Sequence, residues 1–191
     1  MLLGLVVGIG ALGWNQYTWR RAVRQLEEAG ITAQNEQLGA RLWRTAKADW
    51  RQLFNADTWQ TPHIVWTMAY GKAGPLRNLD ALAPALRRIN PEALNLSHCP
   101  ALQNVDGLKG LLALQLLDLR RCPALQNVDG LKGLTALQTL IISACPALEN
   151  VDGLKGLPAF KRVDLRYCGK LPPEQVAALR AALPKADIRY P

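Results

Sequence analysis

At 191 residues the chain is long enough for one domain with short appendages. Hydrophobic residues make up 49% and charged residues 20% of the sequence, a composition that argues against a largely disordered protein. The formal net charge of +8 is spread along the chain without a block of like charges, so no nucleic-acid partner is indicated. A basic surface favours other anionic partners, such as acidic proteins, acidic glycans or lipid head groups.

The first segment predicts a signal peptide or a single transmembrane anchor. Residues 1–19 carry no charged side chain, and Arg20, Arg21 and Arg24 follow them. An α-helix of this length spans about 28 Å, which barely crosses the hydrocarbon core of a bilayer. Only its first part is strongly apolar, which suits the hydrophobic region of a signal peptide equally well. We therefore expect a membrane-anchored or exported protein of the cell envelope, with a buried helix of a soluble protein as the alternative.

Residues 20–75 are predicted to form a helical N-terminal region that contains one short strand. The strand is expected within HIVWTMAY, residues 63–70, because β-branched and aromatic side chains are frequent there. An apolar pattern at helical spacing then predicts a cap helix over residues 76–89. The apolar residues of that helix are Leu79, Leu82, Leu86 and Ile89.

The middle of the chain repeats one phrase three times. CPALQNVDGLKGL spans residues 99–111 and 122–134, and it returns at 145–157 with a single change at Glu149. The cysteines are spaced twenty-three residues apart, and a fixed period in this range is typical of proteins whose units stack on one another. They are Cys99, Cys122, Cys145 and Cys168.

Three units share the pattern L-x-x-L-x-L-x-x-C-x-x-L, which resembles the leucine-rich repeat of bacterial type with cysteine in its Asn/Cys slot. The resemblance covers residues 76–191, with repeats over about 91–168. The first unit departs from it, because Pro91 stands where a leucine is expected. The resemblance implies an α/β solenoid, a right-handed superhelix with short parallel strands on its concave face. It also implies that a partner binds on that face.

The residues themselves favour such an array. The L-x-L alternation predicts a short strand with one buried face, and the Asn, Asp and Gly that follow predict a turn or a single 3₁₀ turn. One unit cannot fold alone, so neighbouring copies must share a core. Residues 169–191 are predicted to close the array with a helix over 171–183 and a final strand. In that strand Ile188 continues the twenty-three-residue register of Leu165.

We expect the cysteines to form a structural ladder in the core, with no metal or cofactor bound. Neighbouring parallel strands lie about 4.8 Å apart, but the thiols point the same way, and a disulfide needs them to face each other. Four sulfurs in a line cannot surround one zinc ion. Each V-D-G turn offers a single carboxylate, which favours turn capping over a calcium site. Those carboxylates belong to Asp106, Asp129 and Asp152.

The strand positions that differ between copies predict a binding surface. They lie between and beside the inward leucines, and we expect them on the concave face. Arginine and tyrosine are favoured anchors of protein interfaces. The candidate partner-binding residues are Asp118, Arg120, Arg121, Arg162, Asp164, Arg166, Tyr167, Asp187, Arg189 and Tyr190. A solvated face with weak charge pairs is the alternative.

No motif favours catalysis. The chain has two histidines, His63 and His98, and no G-x-S-x-G, H-E-x-x-H, Walker or Rossmann motif. His98 precedes Cys99, but the two side chains are expected on opposite sides of the backbone and cannot form a dyad. The sequence therefore predicts a non-enzymatic interaction module with a protein partner. The alternative is a structural spacer of the cell envelope without a specific ligand, and the oligomeric state stays open.

Overall fold

The computed structural model describes residues 21–22, 24–35, 64–68 and 76–191 of the chain. Within these residues seven strands form one sheet, in the same order in space as in sequence. They are β1 (Ile31–Asn35), β2 (Ile64–Met68), β3 (Ala93–Asn95), β4 (Leu116–Asp118), β5 (Thr139–Ile141), β6 (Arg162–Asp164) and β7 (Asp187–Arg189). β1 pairs with β2 in the antiparallel sense, and every later pair is parallel. The prediction of an α/β repeat fold with parallel strands is confirmed at this level.

Strands β3 to β6 pair at a constant offset of one sequence repeat. Ala93 lies opposite Leu116, which lies opposite Thr139, and Thr139 lies opposite Arg162. On the far side of each unit a 3₁₀ helix follows, at Asp106–Leu108, Asp129–Leu131 and Asp152–Leu154. Backbone hydrogen bonds also join equivalent positions of neighbouring units, such as Gln126 N–H to the Gln103 carbonyl at 3.0 Å. The period of the sequence is therefore the period of the structure.

The core lies between the sheet and the row of 3₁₀ helices. The eight apolar positions of one unit are all fully buried or nearly so, and the following unit buries its equivalents in the same way. In the first of these units they are Leu114, Leu117, Leu119, Cys122, Leu125, Val128, Leu131 and Leu134. Since each unit shares this core with its neighbours, burial of leucine is the main stabilising term.

The glycine of each D-G-L turn permits the close approach of neighbouring units. A Cβ atom at Gly130 would overlap the Val105 carbonyl, and one at Gly153 would overlap the Val128 carbonyl. The obstructing atoms belong to the backbone, which has little room to move aside. The 3₁₀ helices can therefore stack at this separation only if glycine occupies the position.

The turns begin with a side-chain hydrogen bond, but its acceptor is asparagine and not the aspartate that was predicted to cap the turn. Asn104 Oδ1 accepts the Asp106 N–H at 3.2 Å, and Asn127 Oδ1 accepts the Asp129 N–H at 3.3 Å. Asp106 and Asp152 instead form exposed ion pairs with the lysines three residues later, as between Asp106 and Lys109 at 2.8 Å. Asparagine rather than aspartate therefore supplies the local cap, because its side-chain oxygen accepts a backbone N–H that the short helix leaves open.

The N-terminal side of the array is only partly as predicted. β2 lies inside the predicted strand segment, and a 3₁₀ turn at Asp80–Leu82 followed by α1 (Ala83–Ile89) occupies the predicted cap helix. The prediction that residues 20–75 are otherwise helical is wrong at β1. A helical stretch over residues 24–28 ends before Gly30, whose φ of 86° is readily adopted by glycine, and the chain then pairs with β2. Residues 36–63 lie outside the described residues.

At the C-terminal end, α2 (Pro173–Ala182) and β7 match the predicted helix and strand. The predicted register of β7 is wrong, since Ile188 lies opposite Val163 and not opposite Leu165. The segment that contains α2 is two residues longer than a repeat, and a shift of two keeps the same face of the strand toward the core. Arg189 therefore lies opposite Asp164, and Asp187 lies opposite Arg162.

The prediction of a transmembrane helix or signal segment is corrected by the helices that the structure describes. None of them is long and apolar enough to cross a membrane. α2 has 10 residues, whereas a transmembrane helix needs about 20. Residues 1–19, where the anchor was predicted, lie outside the described residues.

The packing of the turns predicts very different costs for two glycine-to-alanine substitutions. We expect Gly130→Ala to destabilise the protein by about 3 kcal/mol, because its Cβ meets backbone of the preceding unit. At Gly169 a Cβ meets no atom within 4 Å, and we expect Gly169→Ala to change stability by less than about 0.5 kcal/mol. Urea denaturation followed by circular dichroism measures both. Equal stability of Gly130→Ala and the parent chain would contradict this account of the stacking.

Candidate binding face of the sheet

The sheet has one face toward the core and one face away from it. Side chains alternate along each strand, so those on either side of the buried Leu94, Leu117, Leu140 and Val163 point away from the core. We call this surface the outer sheet face. It comprises Ala93, Asn95, Leu116, Asp118, Thr139, Ile141, Arg162, Asp164, Asp187 and Arg189, with the turn residues Ser97, His98, Arg120, Arg121, Ser143, Ala144, Arg166 and Tyr167 that follow the strands. Among the strand residues only Arg162, Asp187 and Arg189 reach solvent, and the others are buried.

Asp118 and Arg120 form a charge pair at the end of β4. Arg120 Nε donates to Asp118 Oδ1 at 3.1 Å and Oδ2 at 3.0 Å, and Arg120 Nη2 donates to Oδ2 at 2.8 Å. Asp118 Oδ1 also accepts the backbone N–H of Arg120 at 3.0 Å. The Asp118 side chain is 0% exposed and that of Arg120 is 25% exposed. The buried carboxylate is therefore compensated by one side chain that also reaches solvent.

Asp164 and Arg166 repeat this arrangement two strands further on. Arg166 Nε and Nη2 donate to the two carboxylate oxygens at 2.9 Å and 2.7 Å, and its backbone N–H donates to Oδ1 at 3.1 Å. Burial would raise the pKa of Asp164, but the hydrogen bonds from Arg166 and the charges of Arg166 and Arg189 outweigh it. The pKa of Asp164 is therefore lowered, and that of Arg166 is raised by its bonds to Asp164.

Two other units close the same turn without a charge pair. Asn95 Oδ1 accepts the Ser97 N–H at 2.9 Å. In the units of β4 and β6 an aspartate side chain accepts the equivalent backbone N–H. β5 carries Ile141, followed by Ser143, at these positions. The turn therefore does not require an ion pair. The arginines are an addition that places guanidinium groups on the outer sheet face.

A third group of charges lies on β6 and β7. Asp187 Oδ2 is 3.2 Å from Arg162 Nε and 3.4 Å from Arg189 Nε. The three side chains are 40% to 49% exposed, so this pairing contributes little to the stability of the fold. The two-residue shift of β7 creates the cluster, since it brings Asp187 opposite Arg162.

The residue before each cysteine has a left-handed backbone. The φ angles of His98, Arg121, Ala144 and Tyr167 are 60°, 55°, 57° and 62°, a region that non-glycine residues seldom adopt. Arg121 is exposed, and Tyr167 is 75% exposed. Burial lowers the pKa of His98, as do the positive charges of Arg121 and Arg120. These turns therefore display side chains at one edge of the outer sheet face.

Tyr190 does not join this row, although the predicted register placed it beside Tyr167. It is partly buried and packs against the core. Its phenol donates a hydrogen bond to the Leu171 carbonyl at 3.0 Å. The shift of β7 is the physical reason, because it moves Tyr190 out of the position equivalent to Tyr167. Tyr190 therefore helps to close the end of the core and is not on the outer sheet face.

The structure places all four cysteines in the core as free thiols. Three of them donate to a strand-end carbonyl of the preceding unit. Cys122 Sγ lies 3.3 Å from the Leu96 oxygen, and Cys145 and Cys168 make the equivalent bonds at 3.2 Å. Burial raises the pKa of Cys145 to about 12 and also raises the pKa of Cys168. Cys122, Cys145 and Cys168 therefore join neighbouring units, and the raised pKa values of Cys145 and Cys168 disfavour thiolate chemistry there.

Within the described part of the chain, no group of three or more His, Cys, Asp or Glu side chains has a geometry that could hold a metal ion. The structure brings together Asp118 with Arg120, Asp164 with Arg166, and Arg162 with Asp187 and Arg189. The sequence predicted one shared role for these aspartates and arginines. The D-x-R spacing at 118–120 and 164–166 marks the two buried pairs, but it also occurs at 187–189, where the aspartate is exposed, so the spacing alone does not reveal burial.

Comparisons of this chain with protein-family models, curated proteins and solved structures find no match. The geometry of the outer sheet face is therefore the basis for a functional conclusion.

The buried Asp118 predicts an asymmetric response to mutation. Arg120→Ala leaves the carboxylate without its guanidinium, and we expect a loss of about 3 kcal/mol. The double variant Asp118→Ile/Arg120→Ser copies the residues that β5 uses and leaves no buried charge. We expect it to recover most of that loss in urea denaturation. If the double variant is no more stable than Arg120→Ala, burial of the unpaired carboxylate is not the cause.

The lowered pKa of Asp164 predicts a pH-dependent contribution to stability. Its ionised form is favoured by folding, so the contribution is present above the ordinary aspartate pKa of about 3.9 and is lost as pH falls through the lower folded value. We expect Asp164→Asn to cost about 1.5 kcal/mol near neutral pH and much less in strong acid. Urea denaturation across pH measures this, with the exposed Asp129→Asn as the control. An equal cost at every pH would contradict it.

Proposed function

We propose that the chain is a leucine-rich-repeat solenoid that acts as a non-enzymatic interaction module. The outer sheet face would be its concave surface, and a protein partner would bind there. The right-handed superhelix belongs to this proposal, which rests on the 23-residue pattern together with the parallel pairing of β3 to β7. Stacked repeats commonly present such a face to a partner, because it is extended and continuous.

The division between constant and varied positions supports this proposal. The repeated phrase supplies the buried leucines, the cysteines, the turn asparagines and the D-G-L glycines. Each of these has a structural role in stacking. The positions on the outer sheet face differ from unit to unit, as shown by Asn95, Asp118, Ile141 and Asp164 in one row. Stacking leaves these positions free to vary, but these four side chains are buried. A partner would instead read the varied turn residues that follow them and reach solvent, such as Arg121 and Tyr167.

The observation that carries the proposal is the set of oriented arginines on this varied face. Arg166 is held by two side-chain hydrogen bonds to Asp164, and its own side chain is 42% exposed. Tyr167, next to it, is the most exposed of the large hydrophobic side chains among the described residues. A fixed guanidinium beside an exposed aromatic ring loses little side-chain entropy on binding and forms a typical anchor of a protein interface.

The test is cross-linked capture of a partner with two matched variants. Arg120 and Arg166 pair with buried aspartates, so reversing the charge of these arginines would disturb the fold as well as the binding face. Arg121→Glu/Arg189→Glu instead reverses two exposed charges of the outer sheet face, and Lys132→Glu/Lys185→Glu makes the same change in net charge elsewhere. Circular dichroism first establishes that all proteins are folded. We expect a partner that the parent chain and the lysine variant capture and the arginine variant loses.

Capture of the same proteins by all three chains would overturn the proposal. In that case the array has no specific ligand on this face, and the structural spacer becomes the better interpretation.

A further inference from the structure

At the ends of β4 and β6 the acidic and basic side chains of the outer sheet face differ in exposure. Asp118 is fully buried, and the Asp164 side chain is 9% exposed. Their arginine partners lie above them and reach solvent. A solvent-side ligand therefore meets the guanidinium groups first, while the compensating carboxylates lie beneath. The face is thus more positive toward solvent than its count of charged residues indicates.

The row of 3₁₀ helices shows no such difference. The Asp106–Lys109 pair has side chains 41% and 59% exposed, and the Asp152–Lys155 pair has 47% and 37%. Both signs of charge reach solvent there, three residues apart on one turn. A positive surface formed by burial of the acid is therefore a property of the Asp118–Arg120 and Asp164–Arg166 pairs on the outer sheet face and not of the repeat in general.

The geometry of Arg166 leaves a donor edge for a ligand. Asp164 takes the edge formed by Nε and Nη2. A guanidinium is planar, so the other edge, with Nη1, points away from Asp164 and can bind a carboxylate through two parallel hydrogen bonds. Asp164 also fixes the orientation of the plane, so that little side-chain freedom is lost when a ligand binds.

Arg162 and Arg189 extend this positive surface on both sides of Asp164. Arg189 lies opposite Asp164 on the neighbouring strand, and neighbouring strands are about 4.8 Å apart. Arg162 lies two residues before Asp164 on the same strand. The exposed Asp187 lies between these arginines and accepts from both. A carboxylate ligand that pairs with these arginines replaces Asp187 as their acceptor, and Asp187 then needs N–H donors from the same ligand. A peptide has both, whereas a phosphodiester backbone has no N–H donor.

We infer that the outer sheet face binds an acidic protein segment, whose Asp or Glu carboxylates pair with Arg162, Arg166 and Arg189 beside Tyr167. This inference rests on the proposed function and names the chemistry of its partner. Among the described residues of this face Tyr167 is the one exposed tyrosine, which is too few for the successive stacking platforms that single-stranded nucleic acids use. The partner is therefore a peptide segment rich in carboxylates, bound across β6 and β7.

The experiment is fluorescence anisotropy with a labelled twelve-residue peptide of alternating Glu and Ala, compared with its Gln/Ala counterpart. We expect the folded full chain to bind the Glu peptide at low salt, to lose affinity as salt rises, and not to bind the Gln peptide. Arg162→Gln/Arg189→Gln should weaken binding by about tenfold, since it removes two exposed guanidinium groups and keeps the Asp164–Arg166 pair. Lys132→Gln/Lys185→Gln removes the same charge elsewhere and should bind like the parent chain.

Four results would overturn the inference. Three are equal binding of the Glu and Gln peptides, equal weakening by the arginine and lysine variants, and tighter binding of an oligothymidine or of phosphatidylserine vesicles than of the Glu peptide. The fourth is the absence of any Glu-peptide binding. The proposed function survives that failure if captured partners still depend on the outer sheet face, and it fails with the inference only if they do not.

Discussion

The whole array depends on the close approach of successive units at the D-G-L turns. Gly130 and Gly153 lie against backbone of the preceding unit, where no side chain fits. This contact sets the separation on one side of the core, and parallel strand pairing sets it on the other. Because the separation between units is matched on both sides of the core, leucines at equivalent positions of each unit bury one another completely. The repeated phrase is constant because it contains the residues that make this approach possible.

Buried polarity strengthens the connection between units. Thiols such as Cys145 donate to strand-end carbonyls of the unit before, which satisfies an acceptor inside an otherwise apolar region. On the other face of the sheet, Asp118 and Asp164 support the turns after β4 and β6. Each needs a cation because its carboxylate is buried, and arginine is long and planar enough to cover it. A requirement of folding thereby places fixed guanidinium groups where a partner could reach them.

The C-terminal cap changes the surface as well as ending the core. α2 makes the last connection two residues longer than a repeat, which leaves the buried face of β7 unchanged and shifts its register. Asp187 consequently pairs with Arg162 and Arg189, while Tyr190 packs against the core and bonds to Leu171. The positive cluster on β6 and β7 is therefore a product of this shift. A strict continuation of the repeat would have aligned Asp187 with Asp164 instead.

The sequence by itself determined the period, the strand and turn positions and the buried side of each unit, because spacing and alternation are local properties that near-identical copies reinforce. It also identified which positions vary. Only the tertiary structure decided that β1 forms, since that strand exists through pairing with β2. The register of β7 likewise depends on how α2 packs, and the burial of Asp118 beneath Arg120 depends on contacts across strands. Alternation along the strand places Asp118 and Arg120 on one face of the sheet. Only three-dimensional packing buries the Asp118 carboxylate and leaves the Arg120 guanidinium partly exposed.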